Sequence, residues 1–233
     1  MDLDRRRPQQ GLAAEARFVR PHLRLMPGNI ANRAPADRSN GYEAVSEDFM
    51  SRRTRSPVGL ATVREWAKAL ASGGAVLDLG CGHGVPISQA LVDEGFTVYG
   101  VDASATMIAA FRARFPDALA ECSAVEDSGF FGRQFDGVIA WGLVFLLVPD
   151  AQAKLIHQVA AAMKPGGKFL FTAPHEECEW SDNLTGQRSV SLGTGAYREL
   201  VESNGLILDH EAKDEGQNHY YFVQKPDNSD GAV

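Results

Sequence analysis

Val76-Leu77-Asp78-Leu79-Gly80-Cys81-Gly82-His83-Gly84 is the stretch that decides the fold of this chain. An apolar run leads into glycines at alternate positions, and a second apolar run, residues 96–101, ends at Asp102. A buried strand, a glycine turn, a helix and a second strand that ends in an acid about 20 residues on form a nucleoside-binding βαβ unit. We therefore expect Asp102 to accept hydrogen bonds from both hydroxyls of a ribose.

The glycine pattern leaves two alternatives open. A dinucleotide fingerprint, G-x-G-x-x-G, would need its third glycine at position 85, where this chain has Val85. That difference speaks against an oxidoreductase on a related nucleotide-binding sheet. The glycines could also serve tight strand-to-helix packing alone, but their number and position favour close approach of a ligand.

The composition is typical of one cytoplasmic α/β domain. The chain has 233 residues, 44% of them hydrophobic, which is enough to bury a substantial core. It has no apolar run of about 18 residues and no apolar segment after its N-terminal arginines, so neither a membrane span nor a secretory signal is predicted. The 3 cysteines are odd in number and not paired as C-x-x-C, which argues against a disulfide framework and a zinc site.

Charge is divided unevenly along the chain. Residues 1–40 contain eight arginines against four acids, whereas the whole chain has a net charge of −7. We predict that residues 1–40 form a flexible basic extension, dispensable for cofactor binding, and that residues 41–233 form the folded domain with an N-terminal helical lid. The acidic body is a poor surface for polyanions, so nucleic acid is not expected as a partner.

Helical and strand-like segments alternate along the domain. This order predicts a doubly wound, mostly parallel α/β sheet with ligands beyond the carboxyl ends of its strands. Only five residues, 214–218, join the last two strands, so we expect an antiparallel C-terminal hairpin there. Ser104 is the expected N-cap of one helix, and Met163 is placed at the end of another. The predicted strands are residues 75–79, 96–102, 120–123, 135–141, 168–172, 206–213 and 219–223.

Five motifs in this order resemble those of the class I methyltransferases that use S-adenosylmethionine. Residues 78–84 resemble the first motif, and residues 101–104 resemble the ribose-binding acid and its neighbours. Residues 124–130 are similar to the stretch that borders adenine, residues 135–142 to the fourth motif, and residues 163–167 to the Leu-Lys-Pro-Gly-Gly turn. The resemblance covers residues 42–233 and implies the class I methyltransferase fold.

Two departures from the family pattern bear on the site. Ala124 stands where many members have an Asp for the adenine amino group, so Glu126, the backbone or water must supply that bond. Phe145-Leu146 stands where many members have a His-His pair after the fourth motif. The second departure removes a candidate base and makes that wall apolar.

The resemblance implies S-adenosylmethionine as cofactor. Asp78 is expected to accept hydrogen bonds from loop N–H groups and the cofactor's ammonium, and Trp141 to face the sulfonium through its π surface. Cys81 is expected to be an incidental small residue of the loop. The expected cofactor-binding residues are Asp78, Gly80, Cys81, Gly82, Gly84, Asp102, Ala103, Val125, Glu126 and Trp141.

The acceptor site is placed in the lid, in the segment after residue 173 and at the start of the last strand. His219 is the strongest candidate base, and His175 is expected to border the same crevice, although each could be purely structural. No metal is expected. The expected acceptor-binding residues are Tyr42, Arg53, Trp141, Phe145, Trp180 and Tyr220.

These observations predict a methyltransferase that acts on a small organic acceptor, because the aromatic side chains suggest a partly apolar pocket. Neither a nucleic acid nor a membrane is expected as partner. A non-catalytic S-adenosylmethionine-binding module is the second interpretation, favoured only by the missing His-His pair. The acceptor, the element that is methylated and the oligomeric state stay open.

Overall fold

The structure, a computed structural model, describes residues 37–227. The helices are α1 (Ser46–Thr54), α2 (Leu60–Ala67), α3 (Ile87–Asp93), α4 (Ala105–Arg114), α5 (Pro149–Ala162) and α6 (Gly193–Ser203). The strands are β1 (Ala75–Leu79), β2 (Thr97–Asp102), β3 (Leu119–Cys122), β4 (Phe135–Ala140), β5 (Met163–Thr172), β6 (Glu177–Ser181), β7 (Arg188–Leu192), β8 (Ile207–Lys213) and β9 (His219–Gln224).

Seven strands form one sheet in the order β3-β2-β1-β4-β5-β9-β8. Strands β1 to β5 are parallel to their neighbours, while β9 runs antiparallel to both β5 and β8. The expected mostly parallel sheet with an antiparallel C-terminal hairpin is therefore confirmed. The chain leaves β1 toward β2 on one side and later returns to β4 on the other, and such a switch point opens a crevice at the strands' carboxyl ends.

Each face of the sheet has its own hydrophobic core. One core contains Leu155, Val159 and Tyr197 from α5 and α6 together with strand residues such as Leu77 and Phe171. The opposite core contains side chains of α2, α3 and α4, among them Trp66, Leu91 and Phe111. Helices on both faces leave the strands buried on both sides, which explains why β1 is apolar except for Asp78.

Local signals placed most element boundaries. Ser104 is the N-cap of α4, because its hydroxyl accepts a hydrogen bond from the N–H of Met107. Met163 was wrongly placed in a helix: α5 ends at Ala162, and Met163 pairs with Phe135 as the first residue of β5. Apolar side chains of this kind fit either element, so periodicity alone could not separate the two.

The segment after β5 forms a small hairpin that strand patterns did not predict. Strands β6 and β7 pair antiparallel in a sheet of their own, from Glu177↔Leu192 to Ser181↔Arg188. The turn between them is held by Asp182, whose Oδ1 accepts hydrogen bonds from the N–H groups of Leu184 and Thr185. This hairpin stands beside the C-terminal end of β5 and becomes a wall of the site.

Most of the predicted basic extension, residues 1–36, lies outside the described residues. Its last four residues are described, and Arg38 among them pairs with Glu126 of the body at 2.6 Å. Within residues 37–227, no helix has the length and apolarity that crossing a membrane requires.

Candidate active site

The glycine loop follows β1 and turns with positive φ at Gly80, Gly82 and Gly84. At Gly84 an added Cβ would lie 2.3 Å from the ring of Phe115, so this glycine is required by packing. At Gly82 a Cβ would meet its nearest atom, the sulfur of Met107, at 3.4 Å, and Gly82 lines the cavity. The loop therefore combines both interpretations: Gly84 serves helix packing, and Gly82 leaves its backbone open to a ligand.

Asp102 ends β2 beside this loop. Its Oδ2 accepts a hydrogen bond from the N–H of Gly82 (2.8 Å), and its Oδ1 accepts one from the N–H of Ser104 (2.8 Å). Burial raises the pKa of Asp102, against the opposing effect of these two hydrogen bonds. Each carboxylate oxygen keeps a further lone pair, so the group can still accept hydrogen bonds from a diol in the cavity.

Asp78 is a buried carboxylate at the end of β1, with 2% of its surface exposed. Its Oδ2 accepts a hydrogen bond from the hydroxyl of Ser88, yet burial raises its pKa to about 7. A buried acid with a raised pKa gains most from a nearby cation, because a cation restores the ionised form. An ammonium of S-adenosylmethionine fits this requirement, since Asp78 lines the cavity.

Cys81 and His83 do not form a reactive pair. Burial raises the pKa of the Cys81 thiol well above its ordinary value, so the thiol stays protonated and unreactive. Burial lowers the pKa of His83 to about 4, and its Nε2 lies 2.9 Å from the hydroxyl of Thr54. Both residues line the cavity, and we assign neither a role in catalysis.

Glu126 lies at the far side of the loop, where the adenine was expected. Its Oε1 accepts a hydrogen bond from Arg38 at 2.6 Å, and Arg38 also reaches Asp127 at 3.1 Å. Val125 and Glu126 line the cavity, as does Ala103 after β2. A bond from Glu126 to a ligand would therefore compete with, or be shared with, its pairing to Arg38.

One cavity of about 1310 Å³ joins all these groups to the proposed acceptor region. All ten expected cofactor residues line it, and so do His175, His219 and the expected acceptor residues Tyr42, Arg53, Phe145 and Trp180. Single-ligand pockets range from about 300 to 1,000 Å³, so this volume suits a nucleoside cofactor and a second small molecule together. Tyr220 does not line the cavity, because it is fully buried behind Trp141.

Trp141 is held rigidly between charged and polar partners. The guanidinium of Arg53 lies 3.8 Å from the centre of its ring, and its Nε1 donates a hydrogen bond to the hydroxyl of Tyr220 (2.6 Å). Tyr220 in turn donates to Asp214 at 2.8 Å. One face of the indole is thus covered by a cation, and a sulfonium could use only the other face.

Aromatic residues from three separate segments line the mouth of the cavity. Tyr42 packs edge-to-face on Phe49 of the helical lid, and the Tyr42 hydroxyl donates to Asp182 of the hairpin turn at 3.1 Å. Phe145, which follows β4, packs against Trp180 of β6 with ring centres 5.3 Å apart. The lid, the β4 loop and the hairpin therefore surround one partly apolar space.

A polar cluster closes the other end of that space. Oε2 of Glu211 lies 2.7 Å from Nε2 of His219, 2.9 Å from the hydroxyl of Thr194 and 3.3 Å from Nδ1 of His175. Partial burial opposes ionisation of Glu211, but the hydrogen bonds from His219, Thr194 and His175 outweigh it and lower its pKa. We refer to His175, Glu211 and His219 as the imidazole–carboxylate cluster.

The geometry of His219 limits it as a base. Its Nε2 is engaged by Glu211, and its Nδ1 is buried without a hydrogen-bond partner. Neither nitrogen can take a proton from an acceptor unless the ring leaves Glu211. His175 is more exposed, with 53% of its side chain accessible.

Sequence reasoning missed Glu211, Thr194 and Arg38. Glu211 was available from the hairpin register, because Lys213 faces His219 and Glu211 faces Tyr221, which puts 211, 213, 219 and 221 on one face. Thr194 and Arg38 reach the site from segments far away in sequence, and no local pattern marks them.

The strand order, with its reversed β9, and the glycine loop and acid at the ends of β1 and β2 define a class I S-adenosylmethionine-dependent methyltransferase. Residues 76–167 match the family model described as a methyltransferase domain. The chain is also 31% identical over 112 residues to an uncharacterised methyltransferase of Synechocystis sp.. That match covers 48% of this chain and spans about half, 52%, of the curated relative.

Solved structures share the fold at low sequence identity. The CcbJ methyltransferase of Streptomyces caelestis superposes with a TM-score of 0.65 at 16% identity, covering 84% of this chain and 100% of that one. The 1,6-didemethyltoxoflavin-N1-methyltransferase of Burkholderia thailandensis, solved with 1,6-didemethyltoxoflavin and S-adenosylhomocysteine, gives 0.59 at 19% identity, covering 84% and 94%. At these identities the likeness establishes the fold.

Proposed function

We propose that this protein transfers a methyl group from S-adenosylmethionine to a small organic acceptor. The observation that carries the proposal is one continuous cavity of about 1310 Å³ with a glycine loop and two acids at one end and aromatic and imidazole side chains at the other. A cavity of this kind can hold a cofactor and an acceptor side by side, away from bulk water.

The residues around the loop fit the cofactor. Asp102 accepts hydrogen bonds from the ribose, Asp78 faces the ammonium, and Gly82 permits close approach of the backbone. When bound, S-adenosylmethionine supplies a methyl group that is already activated by a sulfonium. The protein has then mainly to align the acceptor and keep water out.

The acceptor end supports a small molecule with an apolar or aromatic body. Phe145 and Trp180 form one wall and Tyr42 with Phe49 another, and such surfaces bind flat apolar groups. The imidazole–carboxylate cluster offers the polar contact that an acceptor losing a proton requires. The toxoflavin-type ligand bound by the Burkholderia neighbour is a small molecule as well, which supports this proposal by analogy.

The first experiment separates the three interpretations left open by the sequence. Calorimetric titrations with S-adenosylmethionine and with NADH identify the cofactor, and we expect binding of the former alone. Release of S-adenosylhomocysteine is then measured over a panel of small acceptors bearing hydroxyl, amine, thiol or acidic carbon groups. Turnover with any of them supports the proposal, tight NADH binding without S-adenosylmethionine binding overturns it, and cofactor binding without turnover across the panel favours the non-catalytic module.

A further inference from the structure

We propose that the imidazole–carboxylate cluster is a binding site for a divalent transition-metal ion of the zinc type, at the acceptor end of the cavity. This departs from the expectation that no metal takes part, which considered cysteine ligands and the chemistry of methyl transfer. The donors here are two imidazole nitrogens and one carboxylate oxygen, a ligand set typical of catalytic zinc sites.

Three ligand atoms already converge. Nδ1 of His175, Oε2 of Glu211 and Nε2 of His219 all lie within 4.8 Å of one another. Ligands at about 2.0 to 2.1 Å from a tetrahedral zinc lie roughly 3.3 Å apart. The His175–Glu211 separation, 3.3 Å, matches that spacing, and the His219–Glu211 separation, 2.7 Å, needs to open by a few tenths of an ångström.

Rigid elements hold two of the ligands. Glu211 lies on β8 and His219 is the first residue of β9, and the two strands are hydrogen-bonded neighbours. His175 follows β5 and has 53% of its side chain exposed, so its ring has room to rotate toward the other two. A fixed pair with one adjustable ligand is compatible with an ion that enters from the cavity.

Groups outside the three ligands would orient the carboxylate. The Thr194 hydroxyl donates to Oε2 of Glu211 at 2.9 Å and itself lies 2.9 Å from the Tyr221 hydroxyl. Arg198 reaches Oε1 of Glu211 at 3.5 Å. Outer contacts of this kind raise the affinity of metal sites because they fix the direction of the ligand lone pair.

Three protein ligands leave a coordination position open, and His175 and His219 both line the cavity. An acceptor hydroxyl, thiol or amine that occupies this position would lose its proton to solvent more easily, because a zinc ion lowers the pKa of a bound group. This role rests on the proposed methyl transfer. Binding of the ion does not, so the two can fail separately.

The alternative is a metal-free cluster in which Glu211 only accepts hydrogen bonds from the two imidazoles. In that arrangement a proton lies between Nε2 of His219 and Oε2 of Glu211, and zinc has no better site here than at any exposed histidine. The two arrangements differ in one measurable property, which is stoichiometric binding that depends on all three residues.

The test is a titration of chelator-treated full-length protein with ZnCl2 by calorimetry, repeated with CoCl2 while the visible absorption of bound Co²⁺ is recorded. We expect one ion per chain and a Co²⁺ spectrum of tetrahedral intensity. His175→Ala and Glu211→Gln should each weaken binding by about tenfold or more. His210→Ala is the matched control, because it removes an exposed histidine next to Glu211 that lies outside the cluster.

Folding and cofactor binding are checked separately. Circular dichroism and S-adenosylmethionine affinity should be unchanged in the exposed-site variant His175→Ala, which keeps the test valid even if Glu211→Gln is less stable. The inference is overturned if the wild type binds no zinc, or if binding persists unchanged in His175→Ala and Glu211→Gln. Loss of zinc binding with intact S-adenosylmethionine binding would leave the proposed function standing.

Discussion

Removal of the Asp102 charge should weaken binding of S-adenosylmethionine without unfolding the protein. The carboxylate accepts hydrogen bonds from the N–H groups of Gly82 and Ser104, each at 2.8 Å, and is expected to accept two more from the ribose diol. Asp102→Asn keeps one acceptor oxygen and removes the charge and the other acceptor. Asp102→Ala removes both acceptors.

The expected loss follows from the strength of charge-assisted hydrogen bonds. Each is worth about 1.5 to 3 kcal/mol, so the loss of even one lowers the affinity by about tenfold. Asp102→Ala should lower it further, and it should also reduce the free energy of unfolding, because two backbone N–H groups lose their acceptor. The second effect, roughly 1 to 3 kcal/mol for each N–H that stays buried, must be measured by itself.

The assay is calorimetric titration with S-adenosylmethionine and S-adenosylhomocysteine, combined with urea unfolding of each variant. Asp117→Asn is the control, because it removes a carboxylate from an exposed position outside the cavity. If folded Asp102→Asn binds both ligands within about twofold of the wild type, Asp102 does not hold the ribose and the reasoning is wrong.

Further outcomes follow from the same structure. Burial raises the pKa of Asp78 from 3.8 to about 7, so the folded state binds this proton more tightly than the unfolded state. The stability of the ligand-free protein should therefore fall as the pH rises across that window, and urea unfolding at several pH values should show a flatter profile for Asp78→Asn. His219→Ala should lower turnover on a genuine acceptor while cofactor affinity stays within about twofold, and wild-type turnover around neutral pH would make His219 structural. Deletion of residues 1–36 should leave the melting temperature and cofactor affinity nearly unchanged, and a large loss of either would show that this segment docks on the domain.

Local chemistry explains why much of the fold was predictable. The apolar run of β1, the glycines after it and the acid that ends β2 are each determined by neighbours in sequence, since burial, φ and hydrogen bonding there are local properties. The five-residue join between β8 and β9 forces an antiparallel pair for the same reason. Met163 shows the limit, because a buried apolar residue fits a helix end and a strand start equally well.

The sequence by itself determined the sheet, the glycine loop and the acids of the cofactor end, because each depends on contacts within a few residues. Only the tertiary structure decided the acceptor end. It stacked Arg53 on Trp141, buried Tyr220 behind that ring, and brought His175, Thr194 and Glu211 together with His219. These contacts join segments that are far apart in the chain, and their geometry depends on strand register and on the packing of the hairpin, which no local pattern encodes.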